Sequence, residues 1–83
     1  MIDIKNWAYE NSMDNLILAD GFDEAFIGVS DRDGLVAVYS INKCIEILKK
    51  RDEMTTLEAE EFMEFNVINT YFGPKTPIFI TTP

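Results

Sequence analysis

Carboxylates are the only abundant chemistry in this chain. Fifteen aspartates and glutamates stand against seven lysines and arginines in 83 residues, with one cysteine and no histidine. Three acidic groups stand out by spacing: Asp20, Asp23 and Glu24; Asp31 and Asp33; and Glu58, Glu60, Glu61 and Glu64. Hard cations take oxygen ligands, so a converging set of these side chains would suit a divalent ion. The Asp31 and Asp33 pair does not match a calcium loop, because its glycine, Gly34, comes too early and the twelfth position is Asn42 instead of glutamate. A solvated turn accounts for it. General acid catalysis would require one carboxyl buried deeply enough to raise its pKa, a property of tertiary structure.

Nucleophilic catalysis has little to work with. Without imidazole there is no Ser-His or Cys-His pair, and Cys44 falls on the apolar side of its helix, where a thiol is an inert core group. The glycines at 21, 28, 34 and 73 are isolated, so no glycine-rich phosphate loop forms. The expectation is a protein that is not an enzyme, with no catalytic, cofactor-binding or metal residues assigned.

The net charge of −8 bears on partners. Residues 1–39 carry eight acids and two bases, residues 40–52 four bases and two acids, and residues 53–83 five acids and one base. The basic cluster Lys49, Lys50 and Arg51 is explained locally by the carbonyl end of a helix dipole. Direct nucleic-acid binding is not expected, since the flanking acidic stretches repel phosphate. A basic protein surface is the expected partner.

Those carboxylates need a scaffold. A chain this short buries roughly 60–65% of its unfolded surface and builds one small core, so residues 1–83 are read as a single domain. With 47% apolar residues, it has enough side chains to fill that core. No apolar run is long enough to span a bilayer and the N-terminus lacks a signal-peptide pattern, so the expected location is cytoplasmic, with no membrane contact. The lone Cys44 can form no internal disulfide, in agreement with a reducing compartment.

The N-terminal region is read as helical, with two placements open: a helix capped by Ser12 carrying Met13, Leu16 and Ile17, or an earlier turn beginning at Ile4, Trp7 and Ala8. Trp7 is read as a packing anchor. Two β-rich runs, 26–29 and 35–39, flank Asp31-Arg32-Asp33-Gly34 and predict a hairpin. A two-residue turn at Asp33-Gly34 would place Ile27, Val29, Val36 and Val38 on one face, and Phe26, Leu35, Ala37 and Tyr39 on the other.

Ser40 reads as the N-cap of a helix with Ile41, Cys44, Ile45 and Leu48 on one face. Thr55 and Glu58 have capping-box spacing, with Met54 and Ala59 placed as a hydrophobic staple. Glu58, Glu60 and Glu61 crowd the favourable end of this second helix. It is predicted to run through Phe62, Phe65 and Ile68 towards Tyr71 and to stop at Gly73-Pro74. Its second half is apolar on nearly every side, which predicts central burial, with Asn66 bonding buried backbone. Pro77 opens a last strand at 77–81, in a first-residue or edge position. The predicted class is α+β: a small three-stranded, mainly antiparallel sheet of hairpin plus C-terminal strand, packed by two main helices, with an N-terminal helical region.

The segments Asp20-Gly21-Phe22-Asp23-Glu24-Ala25-Phe26-Ile27-Gly28-Val29, Val36-Ala37-Val38-Tyr39, Glu60-Glu61-Phe62-Met63-Glu64-Phe65-Asn66-Val67 and Thr76-Pro77-Ile78-Phe79 resemble a family of small uncharacterised phage and phage-derived bacterial proteins. The resemblance runs from Leu16 to Ile80 and implies no specific activity. It implies a phage-type product that acts by contact with a host or phage protein. The leading expectation is an acidic interaction protein, a candidate inhibitor of a host-defence or nucleic-acid enzyme, whose carboxylates fill a basic groove as a nucleic-acid mimic would. Its protein-binding residues are expected among Asp20, Asp23, Glu24, Glu58, Glu60, Glu61 and Glu64. Two alternatives stay open: a small carboxylate-based metal-binding, ligand-binding or catalytic domain, and a self-associating structural component. The oligomeric state is left open.

Overall fold

The computed structural model describes residues 3–13, 16–31, 35–68, 73 and 75–83. Helix α1 spans Ile4–Glu10, and Asp3 caps it by accepting from the backbone N–H of Asn6 at 3.2 Å. The earlier of the two N-terminal placements is the observed one. Ser12 lies at the other end of that helix, in the left-handed region at φ 61°. There its N–H bonds Tyr9 O and the Met13 N–H bonds Ala8 O, the paired closure of a Schellman motif.

A single 3-10 turn, Asp23–Ala25, leads into strand β1 (Phe26–Asp31), which pairs antiparallel with β2 (Leu35–Ser40). The predicted hairpin is present, with a different register. Asp31 pairs with Leu35 and Val29 with Ala37, so the connection holds three residues, 32–34, which lie outside the described residues together with the expected Asp33-Gly34 turn. Val29 therefore joins the face of Ala37, while Ser30 and Gly28 oppose Val36 and Val38. A bulge between Phe26 and Gly28 restores Phe26 to a position opposite Tyr39 and leaves Ile27 exposed.

Ser40 ends β2 and caps helix α2 (Ile41–Arg51), its Oγ accepting from the Lys43 N–H at 3.3 Å. Fully buried, Ser40 also shares a 2.8 Å hydrogen bond with the Thr82 hydroxyl, and Asn42 Oδ1 accepts from the Thr82 N–H at 2.9 Å. These bonds hold the C-terminal segment beside the strand-to-helix junction. Helix α3 (Thr56–Phe62) continues without a break into a π-helical segment, Met63–Ile68. Strand β3 (Ile78–Ile80) then pairs with β2 in parallel, with Pro77 just before it and β3 on the sheet edge. The class is α+β, as expected. The sheet is mixed, in the order β1-β2-β3, because two helices carry the chain back across it before β3.

One core cluster joins Ala37 and Tyr39 of β2, Cys44 and Leu48 of α2, and Ala59 and Met63, closed by Phe22 and Ala25. Tyr39 lies at its centre, stacked on Phe79 at 5.4 Å and edge-on to Phe26 at 5.7 Å. Trp7 packs edge-on against Phe26 at 5.8 Å, the anchoring role expected of it. The phenol of Tyr39 accepts a 2.9 Å hydrogen bond from the Ala19 N–H, which ties the irregular segment 16–19 to the sheet.

The second half of the α3 helix departs from expectation. Phe65 is 72% exposed and Ile68 40%, so central burial does not hold for them. Asn66 is exposed as well, whereas Met63 is buried and Val67 packs against the core. The π winding bonds each residue five positions back, which places more residues in each turn. Val67 thereby takes the inward place that a 3.6-residue period assigns to Asn66. The expected end of this helix, at 69–72 and Pro74, lies outside the described residues. Gly73, at φ 99°, accepts from the backbone N–H and the hydroxyl of Thr76. Among the described residues no helix is long and apolar enough to cross a membrane.

Candidate functional site

The expected binding carboxylates fall into two settings. Asp20, Asp23 and Glu24, all exposed, occupy the segment that enters the sheet and line one wall of an open cleft of about 800 Å³. Its other wall is α2, which contributes Lys43, Glu46, Lys50 and Arg51 around Ile47. This wall is well defined. Arg51 Nη1 donates to the Gly21 carbonyl at 2.7 Å, its guanidinium lies 5.6 Å from the Phe22 ring centre, and it pairs with Asp52 at 3.1 Å. Gly21, at φ 87°, brings its backbone so close that a Cβ there would sit 3.0 Å from Arg51 Nη1. The first carboxylate group thus faces a basic wall in its own chain.

Nothing gathers it around an ion. Among the described residues no three carboxylates or thiolates are placed to hold a metal, so Asp20, Asp23 and Glu24 do not converge as a hard cation would require. The Cys44 thiol is fully buried, and burial pushes its pKa up to about 12, as an unreactive core thiol requires.

The second group is organised by α3. Thr55 Oγ1 accepts from the Glu58 N–H at 3.1 Å, and Glu58 returns a carboxylate oxygen to the Thr55 N–H at 2.9 Å, completing the capping box. Those bonds to Thr55 hold the Glu58 carboxyl below the usual range. Glu58 alone lies in the first turn. The dipole advantage fades within that turn, so it does not explain Glu60, Glu61 or Glu64, a correction to the expectation that Glu58, Glu60 and Glu61 share it. All four are exposed, and among the described residues the ion pairs are Lys49–Glu46 and Arg51–Asp52, neither of which reaches them. Spacings of three and four residues set Glu58 by Glu61, Glu60 by Glu64 and Glu61 by Glu64, like-charge neighbours that disfavour the helix.

Large apolar groups stand among these charges. Leu57 is 65% exposed, and with Glu61 and the more exposed Phe65 it recurs every four residues; Ile68 continues the apolar set. Sequence reasoning placed Phe65 and Ile68 in the core. The available signal was the breadth of the apolar pattern: a helix apolar on every side needs neighbours all round, and a domain of this size cannot supply them. Asp20, Asp23 and Glu24 line the α2 cleft, and none of the four α3 glutamates does.

The basic end of α2 is largely engaged within the chain. Lys49 pairs with Glu46 at 3.6 Å, and Arg51 holds Gly21 and Asp52. Comparison of the chain with protein-family models, with curated proteins and with solved structures finds no match in any of the three.

Proposed function

We propose that this chain is an acidic interaction protein that binds a basic surface on another protein through α3 and its π-helical extension. The observation that carries this reading is the exposure of Phe65 among Glu60, Glu61 and Glu64, for which no ion-pair partner exists among the described residues. Exposed aromatics at interface centres supply most of the binding free energy, while surrounding charges set the approach rate and exclude wrong partners. π-helical turns recur at functional positions, and this one carries the exposed Phe65. Together with the resemblance to phage-derived proteins, this favours a host or phage protein as partner. An enzyme whose groove binds nucleic acid fits best, because its phosphate-reading cations would meet the α3 carboxylates.

The test is capture from host lysate at low and high salt with three baits: wild type, Phe65→Ala, and the triple variant E60Q/E61Q/E64Q. A protein with a basic surface should be enriched by wild type, lost at high salt, and reduced with both variants. Phe65→Ala should act mainly on dissociation and the triple variant on association. Capture unaffected by either variant would remove α3 from the function.

A further inference from the structure

The sheet order leaves β1 on the edge with six residues, twice the length of the other edge strand, β3. The two edges are treated differently. Pro77 precedes β3, which is short, and the chain just beyond it is bonded to Ser40 and Asn42. Strand β1 has neither lysine nor proline; its one blunting feature, the bulge between Phe26 and Gly28 that leaves Ile27 46% exposed, is confined to its start, and Gly28–Asp31 pair with β2 in unbroken register. Apart from the Phe26 N–H, which bonds the Asp23 carbonyl in the preceding turn, no backbone hydrogen bond among the described residues joins the outer side of β1 to another segment. Such an edge is a template for strand addition unless the molecule blunts it.

Charge specifies the occupant. From residue 6 to residue 31 the sequence has no lysine or arginine and six acids: Glu10, Asp14, Asp20, Asp23, Glu24 and Asp31. Asp23 and Glu24, which also line the α2 cleft, precede β1 directly, and Asp31 ends it, so exposed carboxylates stand at both ends of a strand about 17–20 Å long. A second copy of the chain is a poor occupant, because each copy carries a charge of −8 and pairing β1 with β1 would bring these acids together. We propose that the outer edge of β1 accepts an extended cationic segment of another protein as an added strand, with backbone bonds supplying affinity and basic residues six to eight positions apart meeting the flanking carboxylates. This surface is separate from α3 and does not depend on the function assigned there.

The probe is a seven-residue end-blocked peptide with lysine at each end and alternating valine and threonine between, titrated into isotope-labelled protein at about 0.02 M salt. Amide shifts should centre on residues 26–31, those amides should become protected from exchange, and affinity should fall about tenfold or more at about 0.5 M salt. Two controls separate strand addition from charge attraction. The same peptide N-methylated at every valine and threonine keeps its charge and loses its backbone donors, and should bind at least about tenfold more weakly. The variant D23N/E24Q/D31N, altered only at exposed positions, should weaken the unmethylated peptide severalfold. Binding of the methylated peptide within about twofold of its parent would overturn the proposal. So would shifts centred on α3, absence of binding, or a concentration-dependent dimer that hides the 26–31 amides.

Discussion

Tyr39→Phe isolates one hydrogen bond at the centre of the molecule. Tyr39 is fully buried, and phenylalanine preserves its ring contacts with Phe26 and Phe79. What disappears is the acceptor for the Ala19 N–H, bonded at 2.9 Å across twenty positions of sequence. A buried donor left without a partner costs about 1–3 kcal/mol. Ala19 is only partly buried, so water can offset some of the loss, and the expected cost lies near the lower end, about 1–2 kcal/mol. For a domain of this size each kcal/mol lowers Tm by about 4–8 °C, which predicts a drop of about 5–15 °C. Urea unfolding followed by circular dichroism would give the free energy, with Tyr9→Phe as the control because Tyr9 is 71% exposed. Hydrogen exchange at Ala19 should accelerate in the Tyr39 variant alone. A Tyr39→Phe protein within about 0.3 kcal/mol of wild type would refute the claim that this bond fastens segment 16–19 to the sheet.

Other substitutions probe the ends of the helices and the core thiol. Glu53, just past α2, holds φ at 54°, which costs a side-chain-bearing residue about 1–2 kcal/mol. Glu53→Gly should stabilise by about 0.5–1 kcal/mol after glycine's larger chain entropy is deducted, plus a few tenths for removing an anion from a helix C-terminus. Ser12→Gly, at φ 61°, should show the same gain without the charge contribution, measured by denaturant midpoints. Thr55→Ala should cost about 1 kcal/mol by opening the capping box, while Thr56→Ala, one residue inside the helix, should not. Cys44 has a folded-state pKa of about 12 against an ordinary 9.0. Folding therefore favours its protonated form: that stability is complete below pH 9 and is lost as pH rises towards 12, with a slope of at most about 1.4 kcal/mol per pH unit. Burial raises the Tyr39 pKa too, with the same sign. Cys44→Ala should flatten the alkaline decline measured between pH 9 and 11, and an unchanged slope would contradict it.

Elements whose signals are local were legible in the sequence. Ser40 and Thr55 occupy their caps because a hydroxyl oxygen suits an exposed N–H two or three residues on, and α2 buries Cys44 and Leu48 as its spacing requires. Pro77 cannot donate to a ladder, and β3 is an edge strand beginning one residue later. The candidate carboxylates were legible as residues, but not their surroundings. Alternation fixes which residues of one strand share a face, whereas the register between strands depends on the connection and the bulge; one residue of difference moved Val29 across the sheet.

Composition by itself determined that the chain is acidic, lacks imidazole, and holds enough apolar side chains for one small core. Tertiary structure decided how those carboxylates are used. Asp20, Asp23 and Glu24 face the basic wall of α2, whereas Glu60, Glu61 and Glu64 are exposed along the same helical run as the exposed Phe65. The physical reason is that charge is a property of each residue, while exposure is shared among neighbours. The π winding after Phe62 delivers Val67 to the core in place of Asn66, while Met63 keeps the inward position four residues after Ala59 and Phe65 stays in the solvent.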